Sequence, residues 1–393
     1  NMILGGVLTP IYKFSQNIPN YLLTWEKSYN TNIGIDAAFL NNRIDVSMEY
    51  YNTKTKDVIW NKALPVINGA FSPDGGPKAN YTTNLNMCET SNKGFELALN
   101  TRNIITKNFT WSSSVTFNHN KEKITKLSGG DSDVLNNGDT GYALALGEAI
   151  NSYYHYKLDG VWQKGEETDA AVFGAAPGDL KINIPNLVKE SDGRFYKIDE
   201  ETGSAAVDEN GNVIYYTSDN KYTPSDADYQ ILGHNSPDWS LGFQNNFTWK
   251  DFDLSVFVYA RYGQMFAYDM LTSYDPKGIR NFPTYFNYWT ENNPSNDFPA
   301  ANANKGLEQY TGYYALRYVD GSFIKIKNIT LGYSLPKSIL KSAGIEKCRF
   351  YATITNPFVF AKSHLLKDYD PEMNGSLKYP LTKQFVFGVN VTF

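Results

Sequence analysis

Of 393 residues, 15% are aromatic and only 20% charged, with Tyr 29, Phe 23, Gly 30 and Pro 17. Disordered chains have fewer rings and more charge, so this composition requires a folded protein. The net charge of −5 provides no basic stripe for a phosphate backbone, which excludes nucleic acid as a partner. No stretch reaches the 18 consecutive apolar residues of a membrane-crossing helix. The residues after Asn1 lack the charged-then-apolar pattern of a signal peptide. Cys88 and Cys348 are far apart and read as isolated thiols.

The dominant pattern is alternation of apolar and polar residues, the period of a strand with two unlike faces. After a first strand near 31–40, Ile44, Val46, Met48 and Tyr50 share one face, with Arg43, Asp45, Ser47 and Glu49 on the other. A run near 93–100 follows. Phe109, Trp111, Val115 and Phe117 then oppose Thr110, Ser112, Ser114, Thr116 and Asn118. Further runs lie near 142–147 and 152–162. Trp239, Leu241, Phe243, Phe247 and Trp249 form the next apolar face, followed by runs at 252–262, 322–335 and 347–356. The chain closes on Phe385, Phe387, Val389, Val391 and Phe393. About eleven strands are expected. Helix is confined to one turn near 338–343, stopped by Gly344.

The connections fall into two classes that alternate. The short ones are Asn41-Asn42, 101–108, the residues after Gly147, Lys250-Asp251 and 336–346; the long ones are 54–92, 119–141, 163–238, 263–321 and 357–382. An up-and-down meander gathers all short turns at one end and all long loops at the other, as in outer-membrane barrels. Strand runs of nine to eleven residues suit a tilted crossing of the hydrocarbon layer. Paired rings at the ends of apolar faces, Phe109 with Phe117 and Trp239 with Trp249, suit its two interfaces. The opposite faces carry Arg43, Asp45, Glu49, Glu96, Asp253 and Arg261, which a hydrated lumen tolerates. The fold class expected is all-β, a transmembrane antiparallel up-and-down β-barrel with long extracellular loops and short periplasmic turns. A soluble secreted β-sandwich that binds carbohydrate shares the alternation and competes with it.

An odd strand count leaves an open sheet edge, and each unpaired backbone group costs several kcal/mol in lipid. Counting back from a periplasmic Phe393, the strand near Thr31 runs downward. Residues 1–30 are therefore expected in an extracellular loop, and 31–393 as the C-terminal half of a larger barrel.

In order, several segments are similar to one family. They are LLTWEKSYNTNIGIDAAFLNNRIDVSMEYYNTKTKDVIW (22–60), NKGFELAL (92–99), SYYHYKLDGVWQ (152–163), APGDLK (176–181), ILGHNSPDWSLGFQNNFTWKDFDLSVFVYARYGQ (231–264), YWTENNPSNDFP (288–299), DGSFIKIKNITLGYSLP (320–336), DPE (370–372) and the closing FVFGVNVTF. Over essentially its whole length the chain resembles the C-terminal half of SusC/RagA-type TonB-linked (TonB-dependent) outer-membrane transporters of Bacteroidetes. The resemblance implies a barrel of about 22 strands, of which these would be the last eleven. It also implies an N-terminal plug and first barrel half, coupling to TonB through that part, a SusD-like lipoprotein lid, and import of a glycan or peptide.

Candidate ligand-binding residues are the rings of loop 263–321, with Tyr274, Tyr285, Tyr288, Trp289, Tyr310 and Tyr313 foremost. Rings around a cavity stack on sugar faces or grip peptide side chains; packing of the loop on itself would use the same rings. The run DENGNV (208–213) resembles a calcium loop, with Asp208, Asn210 and Asn212 at alternate positions and Asp228 further on. It lacks the expected acid at Asn212 and a glycine at Val213, and a solvated turn explains it as well. Phe393 resembles the terminal aromatic that the barrel-assembly machinery reads. Four scattered histidines and no G-x-S-x-G give catalysis little support. The β-rich composition is also compatible with a glycosidase, and the barrel pattern with a TonB-linked siderophore receptor.

Overall fold

A computed structural model describes residues 2–4, 7–9, 17–64, 81–127, 134–137, 142–273, 284, 286–341 and 344–393. One antiparallel sheet dominates them, and its strands follow one another in chain order. They are β1 (Lys27–Phe39), β2 (Ile44–Ala63), β3 (Thr82–Ile105), β4 (Phe109–Leu127), β5 (Trp239–Trp249), β6 (Phe252–Tyr262), β7 (Phe323–Ser334), β8 (Lys347–Ala361) and β9 (Gln384–Thr392). Each pairs with its sequence neighbour, the up-and-down order that alternating connections require.

The short turns pass through left-handed backbone: Asn41 and Asn42, which tolerate it, have φ of 56° and 59°, and Lys250 adopts 53°. Lys337–Leu340 forms the single helical turn expected between β7 and β8, and Gly344 follows at φ 67°.

Two expectations need correction. The runs at 142–147 and 152–162 are not sheet-crossing strands, so nine strands in series replace the expected eleven. Tyr142–Ala145 and Ser152–His155 are four residues each and pair with one another, and Ser152–His155 pairs in turn with Gln230–His234, in a small separate sheet. Ala143, Leu144, Ala145, Ser152 and Tyr153 are buried, and four residues reach less than half the length of a membrane-crossing strand. β4 therefore pairs directly with β5. Because a whole hairpin leaves the sheet, the polarity of the other strands is unchanged. The second correction concerns length: β2, β3 and β4 hold 20, 24 and 19 residues. Apolar alternation stops near residue 53, but the backbone ladder continues through polar pairs such as Asn61 with Asn84.

Register sorts the side chains into rows across the strands. Phe109, Trp249, Phe252, Tyr333 and Phe350 are successive partners near the short-turn end, and the Phe252 and Tyr333 rings lie 4.7 Å apart. Nearer the long loops, Trp239 stacks on Tyr262 at 5.6 Å and contacts Phe117 at 6.1 Å. Between these aromatic rows lie Val115, Phe243 and Val258, again direct partners. This face meets no second sheet among the described residues, and Phe385, Phe387 and Phe393 are 66%, 81% and 88% exposed. A soluble sandwich would have buried them; a lipid-facing wall presents them outward.

Candidate functional site: the long-loop assembly

Beyond the ends of the sheet strands, the long connections 128–238, 263–322 and 362–383 pack on one another. Lys157–Val161 pairs with Leu180–Asn183, and Met265–Ala267 pairs with Tyr318–Asp320. Val161, Leu180, Phe266, Leu271, Phe286, Trp289, Phe298, Tyr310, Tyr313, Val319 and Leu366 form one buried cluster drawn from all three loops. Loops this long order themselves by building a core of their own.

That core accounts for most of the candidate rings. Trp289, Tyr310 and Tyr313 are interior. The Trp289 indole N–H donates to Gln163 Oε1 at 2.9 Å, and the Tyr310 hydroxyl donates to the Ala300 carbonyl at 3.1 Å. Their faces are committed to packing in this conformation. Tyr288 is half-exposed and its carbonyl accepts from Asn293. Tyr274 and Tyr285 lie outside the described residues.

The calcium candidates separate into two networks. Asp208 caps a tight turn: its Oδ1 accepts from the backbone N–H groups of Asn210 and Asn212, both at 2.9 Å. Those backbone hydrogen bonds, from Asn212 foremost, hold the carboxyl below the usual carboxylate range. Asp228 is wholly buried and accepts from Lys197 Nζ at 2.6 Å, the Tyr222 hydroxyl at 2.6 Å and the Ser225 N–H at 2.9 Å. Burial pushes its carboxyl up, but the bonds from Lys197 and Tyr222 outweigh that and leave it lowered. Burial together with the Asp228 bond pushes the Tyr222 phenol up to about 12. Among the described residues no group of three His, Cys, Asp or Glu is arranged to hold a metal.

Two features were not legible as sites in the sequence. Lys325, on β7, is fully buried and meets Asp370 Oδ2 at 2.5 Å and Glu372 Oε2 at 2.8 Å, while Lys327 meets Glu372 Oε1 at 2.6 Å. Loop 362–383 is thereby fastened to the polar face of the sheet, where Arg261 also reaches Asn374. The signal was present, two lysines two residues apart in FIKIKN and the acids of DPE, but their pairing spans 45 residues. The second feature is a joint between loops: His155 stacks on Tyr229 at 4.8 Å and lies 5.7 Å from Tyr318, which belongs to loop 263–322.

A nine-strand meander with an aromatic-bordered apolar face and all its long loops at one end has the form of part of a transporter-type barrel. Residues 6–174 match the family model described as TonB dependent receptor-like, beta-barrel. TonB-dependent receptor P3 of Formosa agariphila is 28% identical over 94% of this chain and 34% of its own length. TonB-dependent receptor SusC of Bacteroides thetaiotaomicron is 28% identical over 95% of this chain and 32% of its own length. Among solved structures, that of the RagAB peptide transporter superposes with a TM-score of 0.66 at 25% identity, covering 94% of this chain and 36% of that one. The chain is similar to the β-barrel portion of TonB-dependent receptors. SusC and the RagAB transporter are among the proteins it is similar to, as its motifs implied, and it spans about a third of the length of the curated relatives it matches.

Proposed function

We propose that this barrel portion works in a TonB-dependent importer of the bacterial outer membrane, taking up an oligosaccharide or a peptide beneath a SusD-like surface lipoprotein. One observation carries the reading: the long loops share a single core at one end of a sheet whose apolar face suits lipid. The loop assembly would form the outer vestibule, and the polar face, with Glu49, Glu96, Asp253 and Arg261, would line the path inward. The plug and the TonB-contacting segment would come from the rest of the protein. Phe393, exposed at the end of the strand that also exposes Phe385 and Phe387, would serve barrel assembly.

Uptake of labelled oligosaccharides and peptides by cells producing the full-length protein tests this. Uptake of one class should require both TonB and the full-length protein, and a surface lipoprotein should co-purify. Uptake indifferent to TonB would reject the importer.

A further inference from the structure

Within the loop assembly, strand Lys157–Val161, strand Gln230–His234, the turn Tyr313–Arg317 and residues 296–297 surround a cleft of about 370 Å³, in the range of small-ligand sites. Six aliphatic chains, Leu158, Ile231, Leu232, Met265, Leu316 and Leu365, share its walls with Tyr156, Tyr318 and Asn296. A leucine-like side chain set against the aliphatic part of the wall would gain by leaving water, and a sugar hydroxyl set there would lose its hydrogen bonds. Two charged groups of opposite sign also line it, Lys157 and Asp297. Among the described residues Lys157 has no acidic partner, while Asp297 meets the largely exposed His364 through Oδ1 at 2.9 Å and accepts from the Asn287 amide through Oδ2 at 3.2 Å. Greasy walls with one cation and one anion complement a ligand carrying an apolar side chain, an ammonium and a carboxylate.

We propose that this cleft seats an apolar residue at the terminus of a peptide, which makes peptide the class of cargo. The inference rests on the importer reading above and adds the substrate class. Asp297 would receive the peptide ammonium and Lys157 a carboxylate, while the aliphatic walls take the side chain.

The test uses the full-length receptor in detergent, with trileucine and maltotriose as probes in calorimetric titrations. Trileucine should bind and maltotriose should not. Ala315→Trp fills the cleft from the Tyr313–Arg317 turn, and Leu232→Trp fills it from strand Gln230–His234; each should weaken trileucine at least tenfold. Asp297→Asn should weaken it several-fold. Two independent fillers keep the test open should one variant misfold. No trileucine binding to the unaltered receptor, or binding that both fillers leave unchanged, overturns the proposal. So does maltotriose binding that both fillers abolish. Uptake is read separately: trileucine bound in the cleft but not imported by TonB-competent cells rejects the importer and leaves the cleft standing.

Discussion

The ammonium of Lys325 lies 2.5 Å from an Asp370 carboxylate oxygen, and the lysine side chain is wholly shielded from solvent. The pair joins a sheet strand to the loop that precedes β9, with Glu372 and Lys327 completing the network. Removing one partner of a buried pair leaves an uncompensated charge and costs roughly 3–5 kcal/mol. Lys325→Met should therefore release loop 362–383, and limited proteolysis of the full-length receptor should cut there at protease levels that spare the unaltered protein. Identical digestion patterns would contradict the assignment. Burial pushes the Glu372 carboxyl up, but hydrogen bonds from Lys325 and Lys327 outweigh it, so its folded value is lowered. The resulting stabilisation is present above the ordinary carboxylate range and fades as pH falls through the lowered value. Acid should loosen the same loop.

Two glycines on the polar face lie directly across from tyrosines: Gly94 from Tyr51, and Gly388 from Tyr351. A Cβ at either position would overlap the tyrosine ring, and at Gly94 it would also sit 2.7 Å from the His119 carbonyl. The ring covers the glycine and fills the gap its missing side chain leaves. Gly94→Ala should cost about 1–3 kcal/mol, the usual range for overpacking. Gly34→Ala, whose Cβ would be 3.6 Å from the nearest atom, should cost little. Urea unfolding of the full-length barrel in detergent reads both, and equal midpoints would refute the ring-over-glycine account.

The lipid-facing rows were legible because alternation is a local signal: Phe109 to Phe117 and Trp239 to Trp249 announce their face within one strand. The strand count went astray where the same alternation served another purpose. Tyr142–Ala145 and Ser152–His155 look like wall strands in sequence, yet they belong to the small sheet within the loop assembly, with most of their side chains buried there. Nothing local separates the two cases; only the partner, Gln230–His234, far along the chain, does. The Asp228–Lys197 and Lys325–Asp370 contacts were invisible for the same reason: pairing of distant charges has no period. The aromatic wealth of loop 263–321 was plain, but whether rings such as Trp289 point inward depends on Gln163 and Gly178 in a different loop.

Trp289 should therefore behave as a structural pin between loops. Its indole bonds Gln163, and its ring lies against Gly178, which sits at φ 95° and where a Cβ would approach Trp289 Cε3 to 2.8 Å. Trp289→Phe loses one hydrogen bond, worth about 1 kcal/mol; Trp289→Ala opens a cavity costing roughly 3–5 kcal/mol. Hydrogen exchange in 157–183 and 286–300 should quicken slightly in the first variant and strongly in the second, with β5 and β6 unaffected. Exchange unchanged in the alanine variant would mean the ring is not the pin.

His155 should make the loop assembly sensitive to mild acid. Burial, reinforced by the Arg317 guanidinium and opposed by Asp226, lowers its pKa from 6.5 to about 4. Its Nδ1 accepts the Tyr156 N–H at 2.9 Å, a bond the protonated ring cannot accept, and the phenols of Tyr156, Tyr229 and Tyr318 surround it. Above pH 6.5 the ring is neutral in both folded and unfolded chains and contributes no pH dependence. As pH falls from 6.5 towards 4 the unfolded chain takes up a proton that the folded one refuses, so stability declines by about 1.4 kcal/mol per unit, up to about 3 kcal/mol. His155→Phe keeps a flat ring against Tyr229 and removes the titration. Amide protection of 152–158 and 313–319, compared between about pH 7 and about pH 5, should fall in the unaltered receptor and hold in the variant. An equal fall in both would assign the acid response to other groups.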